Sequence, residues 1–138
     1  MSLPRGKNAR TFYRAAKQRF SDAELLLEHN RTTSAVYLAG YGVECMLKAL
    51  MLESVPESRH DTIGDLFRGQ LGHNLILLMR ELRTHLRGSL PSIIERTLLR
   101  VNTWTTNLRY MPGNIKSSLA TEYIRDAAQI IQWTDERI

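Results

Sequence analysis

Residues 35–52 read AVYLAGYGVECMLKALML, eighteen positions with no proline and two charges, Glu44 and Lys48. Ala35, Leu38, Cys45, Ala49 and Leu52 follow one helical line, while Val36, Val43, Leu47, Leu50 and Met51 cover most of the remaining circumference. A helix that is apolar nearly all round is enclosed by neighbours on several sides, so this stretch predicts the central rod of a helical bundle. Gly40 and Gly42 each cost about 1 kcal/mol relative to alanine inside a helix, which predicts that another helix comes close there. What is left is the line Tyr37, Tyr41, Glu44, Lys48, at offsets 0, 4, 7 and 11, a single helical face. Glu44 precedes Lys48 in the favourable i, i+4 order, worth about 0.2–0.5 kcal/mol on an exposed helix. A purely structural pair and a functional one fit that spacing equally, and burial of the pair is the expectation. A membrane span is disfavoured, because each mid-helix charge would cost roughly 2.5–3.5 kcal/mol at the bilayer centre.

The flanking sequence supplies partners for this rod. Phe12, Ala16, Phe20, Ala23 and Leu27 recur at steps of four and three, predicting an amphipathic helix over residues 8–28. The polar break at residues 30–34, rich in N-cap residue types, is too short for anything but an antiparallel neighbour. Pro56 closes the central helix, and residues 55–72 read as a long polar loop interrupted by Gly64, Gly69 and Gly72, with room for one helical turn near Asp65 to Arg68. Leu75, Leu78, Met79, Leu82 and Leu86 predict a third helix opened by His73 and closed by Arg87-Gly88. Pro91 stands at a helix start, and Leu90, Ile94, Leu98, Val101, Trp104 and Leu108 trace a fourth helix down to Arg109. After the turn at residues 111–114, a fifth helix from Ile115 is expected to carry Leu119, Tyr123, Ala127, Ile130 or Ile131, and Thr134 inward. No segment alternates with period two, so the fold class is all-α: an up-and-down helical bundle of four to five helices, as a single domain over residues 1–138.

Composition narrows the function classes. One cysteine, Cys45, sits inside the apolar helix, which excludes a disulfide framework and a paired-cysteine metal site and points to the cytoplasm. The formal charge of +5 is concentrated at the start: Arg5, Lys7, Arg10, Arg14, Lys17 and Arg19 precede the first acid, Asp22, leaving 13 bases against 14 acids. Such a start attracts phosphates or is simply a solvated helix face. There is no phosphate-binding glycine loop, no His-Glu-x-x-His and no nucleophile elbow. His29, His60, His73 and His85 lack the i, i+3 or i, i+4 spacing of a shared metal site, so neither a metal nor a cofactor is expected. One cluster has ligand chemistry: Asn102, Trp104, Arg109 and Tyr110, a planar cationic fork beside stacking surfaces. Its bland alternative is a core tryptophan and a base placed against a helix C-terminus.

Three ordered pieces carry a family likeness: Ala35-x-Tyr37-x-Ala39-Gly40-Tyr41-x-x-Glu44-x-x-Leu47-Lys48-Ala49; His73-Asn74-Leu75-x-x-Leu78; and Asn102 through Arg109-Tyr110-x-Pro112. Together they resemble the HEPN family, the nucleotide-binding domains of higher eukaryotes and prokaryotes. The resemblance implies an up-and-down bundle, a homodimer, and action beside a minimal nucleotidyltransferase in toxin–antitoxin-like pairs. The family's ribonucleases carry Arg-x(4–6)-His near the start of the last long core helix. Here Arg68 to His73 and Arg80 to His85 have the spacing but lie too early in the chain, and all four histidines precede Arg109. The resemblance therefore implies the branch that binds nucleotide or RNA without cleaving it. The expected ligand-binding residues are Tyr41, Glu44, Lys48, Asn102, Arg109 and Tyr110, with no catalytic residue. A divergent ribonuclease and a purely structural dimeric bundle are the alternatives.

Overall fold

The computed structural model describes residues 3–68, 74–86, 88–108 and 110–138, and of residues 104–107 the backbone alone. Among them there are six α-helices and no strand: α1 (Lys7–Glu28), α2 (Thr32–Glu53), α3 (His60–Leu66), α4 (Leu75–His85), α5 (Ser92–Asn107) and α6 (Ser117–Asp135), with a 3-10 turn at Glu57–Arg59 before α3. The bundle is the one expected, with α3 occupying what reads in the sequence as loop.

α2 is the centre. It packs against all five other helices, and 17 of its 22 residues are buried. It is long and apolar enough, by length and composition, to cross a membrane, yet 83% of its apolar window is buried inside the bundle. The glycine expectation holds at Gly42, where a Cβ would lie 3.2 Å from the Ala16 carbonyl oxygen of α1 and 3.6 Å from the Phe20 backbone nitrogen. No other residue type lets two backbones meet this closely without displacement.

Chain direction follows from the ends. Arg5 donates its backbone N–H to Glu53 at 2.9 Å, so α1 begins where α2 finishes and runs antiparallel to it. Leu50, Glu53, His85, Gly88 and Trp133 line one cavity, placing the ends of α4 and α6 beside the end of α2. α5 then returns along α2 until Leu108 meets Leu38.

Three local expectations change. Thr32 and Thr33 lie inside α2 and cap nothing: Thr32 Oγ1 donates to the Ile115 carbonyl at 2.8 Å, and Ile115 N–H donates to Thr33 Oγ1 at 3.2 Å. These hydroxyls tie the approach to α6 onto the start of α2, and the break between α1 and α2 is closed by Asn30 in the left-handed region, φ 60°. α6 begins at Ser117, not Ile115, and Leu119 faces out at 40% exposure while Ala120 and Ile124 take the inward positions. The cap of α4 is Asn74, whose Oδ1 accepts from Ile76 N–H at 3.0 Å and Leu77 N–H at 3.2 Å. His73 and Arg87, expected to open and close that helix, lie outside the described residues, as does the side chain of Trp104.

Candidate functional site

The polar line of α2 changes character along its length. Tyr37 is half-buried and Tyr41 is 40% exposed, whereas the Glu44 and Lys48 side chains are only 8% and 7% exposed. Lys48 Nζ donates to Glu44 Oε2 at 2.9 Å. Moving a lysine ammonium out of water is costly unless a counter-charge and further contacts replace its hydration. Here the carboxylate supplies the charge and two rings supply the rest: Nζ stands 5.6 Å from the Phe12 centroid and 5.4 Å from the Phe67 centroid. Those rings meet edge to face at 5.7 Å and 90°.

Lys48, Phe12 and Phe67 are also part of the wall of a cleft of about 450 Å³ between α1 and α3, within the size range of small-molecule sites. Asn8 and Thr11 line it from α1; Asp61, Gly64 and Asp65 line it from α3, with Arg68 just beyond. Arg68 pairs with Asp65 at 3.1 Å on the exposed rim. His60 lines the cleft too, with one ring nitrogen committed to the backbone. Its Nε2–H donates to the Val55 carbonyl at 3.2 Å, and its ring packs so tightly on Gly6 that a Cβ there would lie 2.7 Å from Cε1.

Of the expected ligand residues, Lys48 lines the α1–α3 cleft and Glu44 is paired with it. The two form the buried inner end of the α2 line. Tyr41 stands one turn outward, where the Cys45 thiol, then partial burial and Glu44, push its phenol upward against the opposing pull of Arg19. Asn102 is half-buried on α5. Tyr110 is 93% exposed in the turn after α5, and Arg109 lies outside the described residues. Phe12, Phe67, Thr11 and Asp61, which shape the cleft, are absent from the expected set. Phe12 reads as core because it falls on the apolar stripe of α1, and the other side of the cleft comes from a helix too short to show periodicity.

A second polar cluster joins the end of α6 to α1. Asp135, 4% exposed, accepts from the Tyr13 hydroxyl at 2.8 Å and pairs with Lys17. Burial, then the Asp135 hydrogen bond and charge, push the Tyr13 phenol from 10.0 to about 12. Burial, with Glu44 nearby, likewise raises the Cys45 thiol from 9.0 to about 11, which leaves it a neutral packing group. Among the described residues no group of three or more His, Cys, Asp or Glu side chains is placed to hold a metal.

No curated protein and no solved structure is a match to this chain. The family model described as HEPN domain matches residues 9–137, from the first turn of α1 through the end of α6, and the chain belongs to the HEPN family.

Proposed function

We propose that this HEPN domain binds a nucleotide or RNA in the α1–α3 cleft and does not cleave it. The observation that carries the reading is the buried Lys48 ammonium lining that cleft, fixed by Glu44 and bracketed by two phenyl rings. A hydrogen-bond acceptor of a nucleotide entering there meets a donor already ordered and largely stripped of water, so little further ordering is needed on binding. Phe12 and Phe67 offer apolar surface to a base. Two features support binding without cleavage. Every histidine precedes Arg109, and His60 in the cleft has its Nε2–H committed to a backbone carbonyl and its ring wedged against Gly6. The proposal extends to a homodimer paired with a minimal nucleotidyltransferase in a toxin–antitoxin-like system, supported by family membership and, for the dimer, by exposed Ile93, Leu99 and Leu119 on α5 and α6.

The test uses Gly64, where a Cβ would meet nothing within 4 Å although the residue lines the cleft. Gly64→Phe adds bulk at the cleft wall from a position where the Cβ itself displaces nothing. Calorimetric titration with mononucleotides is expected to give roughly micromolar binding, about −8 kcal/mol, for the native protein, at least tenfold weaker for Gly64→Phe. Equal affinity in both would remove this cleft as the site, and RNA cleavage that survives purification and is lost in Arg109→Ala would replace the reading with a ribonuclease.

A further inference from the structure

We infer that the cleft takes one nucleotide of a single-stranded nucleic acid whose backbone lies along the outer face of α1, with phosphates on Lys7, Arg10 and Arg14 and the base turned toward α3. The inference rests on the cleft being the nucleotide site, and adds to it the form of the ligand and its orientation.

The track is visible in helical geometry. Positions 7, 10, 14 and 17 fall within an arc of about 80° on an α-helix and span about 15 Å. All four side chains are exposed. Lys17 is partly engaged by Asp135, while Lys7, Arg10 and Arg14 have no ion-pair partner among the described residues. Further along the same face come Ser21, Glu24 and Glu28, all exposed, and the sign of the surface reverses. A polyanion is therefore held over the first half of α1 and turned away from the second. On the helical wheel Thr11, which lines the cleft, is about 40° from Lys7, 60° from Arg14 and 100° from Arg10, so the track meets the cleft at Lys7 and leads away from it round α1.

The opposite wall has the opposite chemistry. Asp61 and Asp65 stand one turn apart on α3, and among the described residues only Asp65 is matched by a cation, Arg68. Carboxylates repel phosphate and accept hydrogen bonds from the N–H groups on base edges. A nucleotide is thus oriented by the two walls: phosphate toward α1, base edge toward α3, apolar faces of the base against Phe12 and Phe67. A paired duplex has those N–H groups occupied, which selects a single strand. An anionic lipid surface is disfavoured because the apolar side of α1, Ala9, Tyr13, Ala16 and Ala23, is spent on the core.

Fluorescence anisotropy of labelled 12-nucleotide single strands of RNA and of DNA, a 12-base-pair RNA duplex and a free mononucleotide, each across a salt series, tests this. Anionic phospholipid vesicles form a parallel arm. The expected slope of log K against log salt for a single strand is about −2 for three phosphate contacts. Arg10→Gln/Arg14→Gln is expected to weaken strand binding at least tenfold and to flatten the slope by about 1.4, with mononucleotide affinity unchanged. Binding of both the RNA and the DNA strand no tighter than that of the mononucleotide would overturn the track. Strand binding by the double variant equal to native, with mononucleotide binding intact, would overturn the track and leave the cleft standing. Absence of mononucleotide binding in the native protein would overturn both. Duplex or vesicle binding as tight as the single strand would overturn the selection argued here.

Discussion

Among the described residues two lysine–carboxylate pairs are built into this bundle, and they differ in reach and in what surrounds them. Glu44 and Lys48 are four residues apart on one helix, both almost completely enclosed, and Lys48 opens on a cleft. Lys17 and Asp135 are 118 residues apart, Asp135 is enclosed, and Lys17 is 47% exposed. The first pair presents an ammonium toward a space a ligand can occupy. The second fastens the end of α6 to α1 and shares its carboxylate with Tyr13. The comparison teaches that burial of a charge has different consequences according to whether its partner can escape to water.

The largest expected effect follows from Lys48 having no such escape. Glu44→Gln leaves an ammonium enclosed without its counter-charge and is expected to cost about 3–5 kcal/mol in urea unfolding. Glu44→Gln combined with Lys48→Met, which removes both charges, is expected to recover most of that loss; a double variant no better than the single would show that the cost comes from packing alone. Asp135→Asn should cost less, about 1–3 kcal/mol, because Tyr13 keeps an acceptor and Lys17 turns to solvent. A loss as large as that of Glu44→Gln would erase the distinction between the pairs.

Alkaline titration sharpens it further. Tyr13 titrates at about 12 in the folded protein against 10.0 for the free side chain. A pKa raised on folding means the unfolded chain loses its proton first. Its contribution is therefore fully present below pH 10 and is lost as pH rises toward 12. Cys45 acts in the same direction from 9.0 toward 11. Unfolding free energy should fall across this range, less steeply in Tyr13→Phe; parallel curves for the two proteins would show that Tyr13 is not the source. The smallest effect is expected from the exposed pair Arg100–Asp126, held by two hydrogen bonds at 3.0 and 3.1 Å with Arg100 55% exposed. Arg100→Ala should cost under about 1 kcal/mol.

Sequence legibility followed the same division. Much of what lies on one long helix could be read: α2 as the core rod, the close approach of another helix at Gly42, and Glu44 facing Lys48 all follow from spacing within a single element. Contacts between distant elements could not. Nothing local marks Asp135 as the partner of Tyr13, or Thr32 and Thr33 as anchors for Ile115, since no periodicity links residues more than 80 positions apart. α3 was legible only as a possible turn, because seven residues interrupted by Gly64 give no stripe to detect. With it went the far wall of the cleft, Asp61 and Phe67. Leu119 shows the opposite error: its spacing fits the inner stripe of α6, but a one-position rotation gives the interior to Ala120.

The claim that the inner end of the α2 line, and not its exposed outer end, holds the ligand can be measured residue by residue. Amide chemical shifts of ¹⁵N-labelled protein, followed during titration with adenosine monophosphate, are expected to move most at Thr11, Asp61, Gly64 and Asp65, around the cleft that Lys48 lines. Shifts concentrated at Tyr37, Tyr41 and Tyr110, or none at millimolar nucleotide, would contradict it.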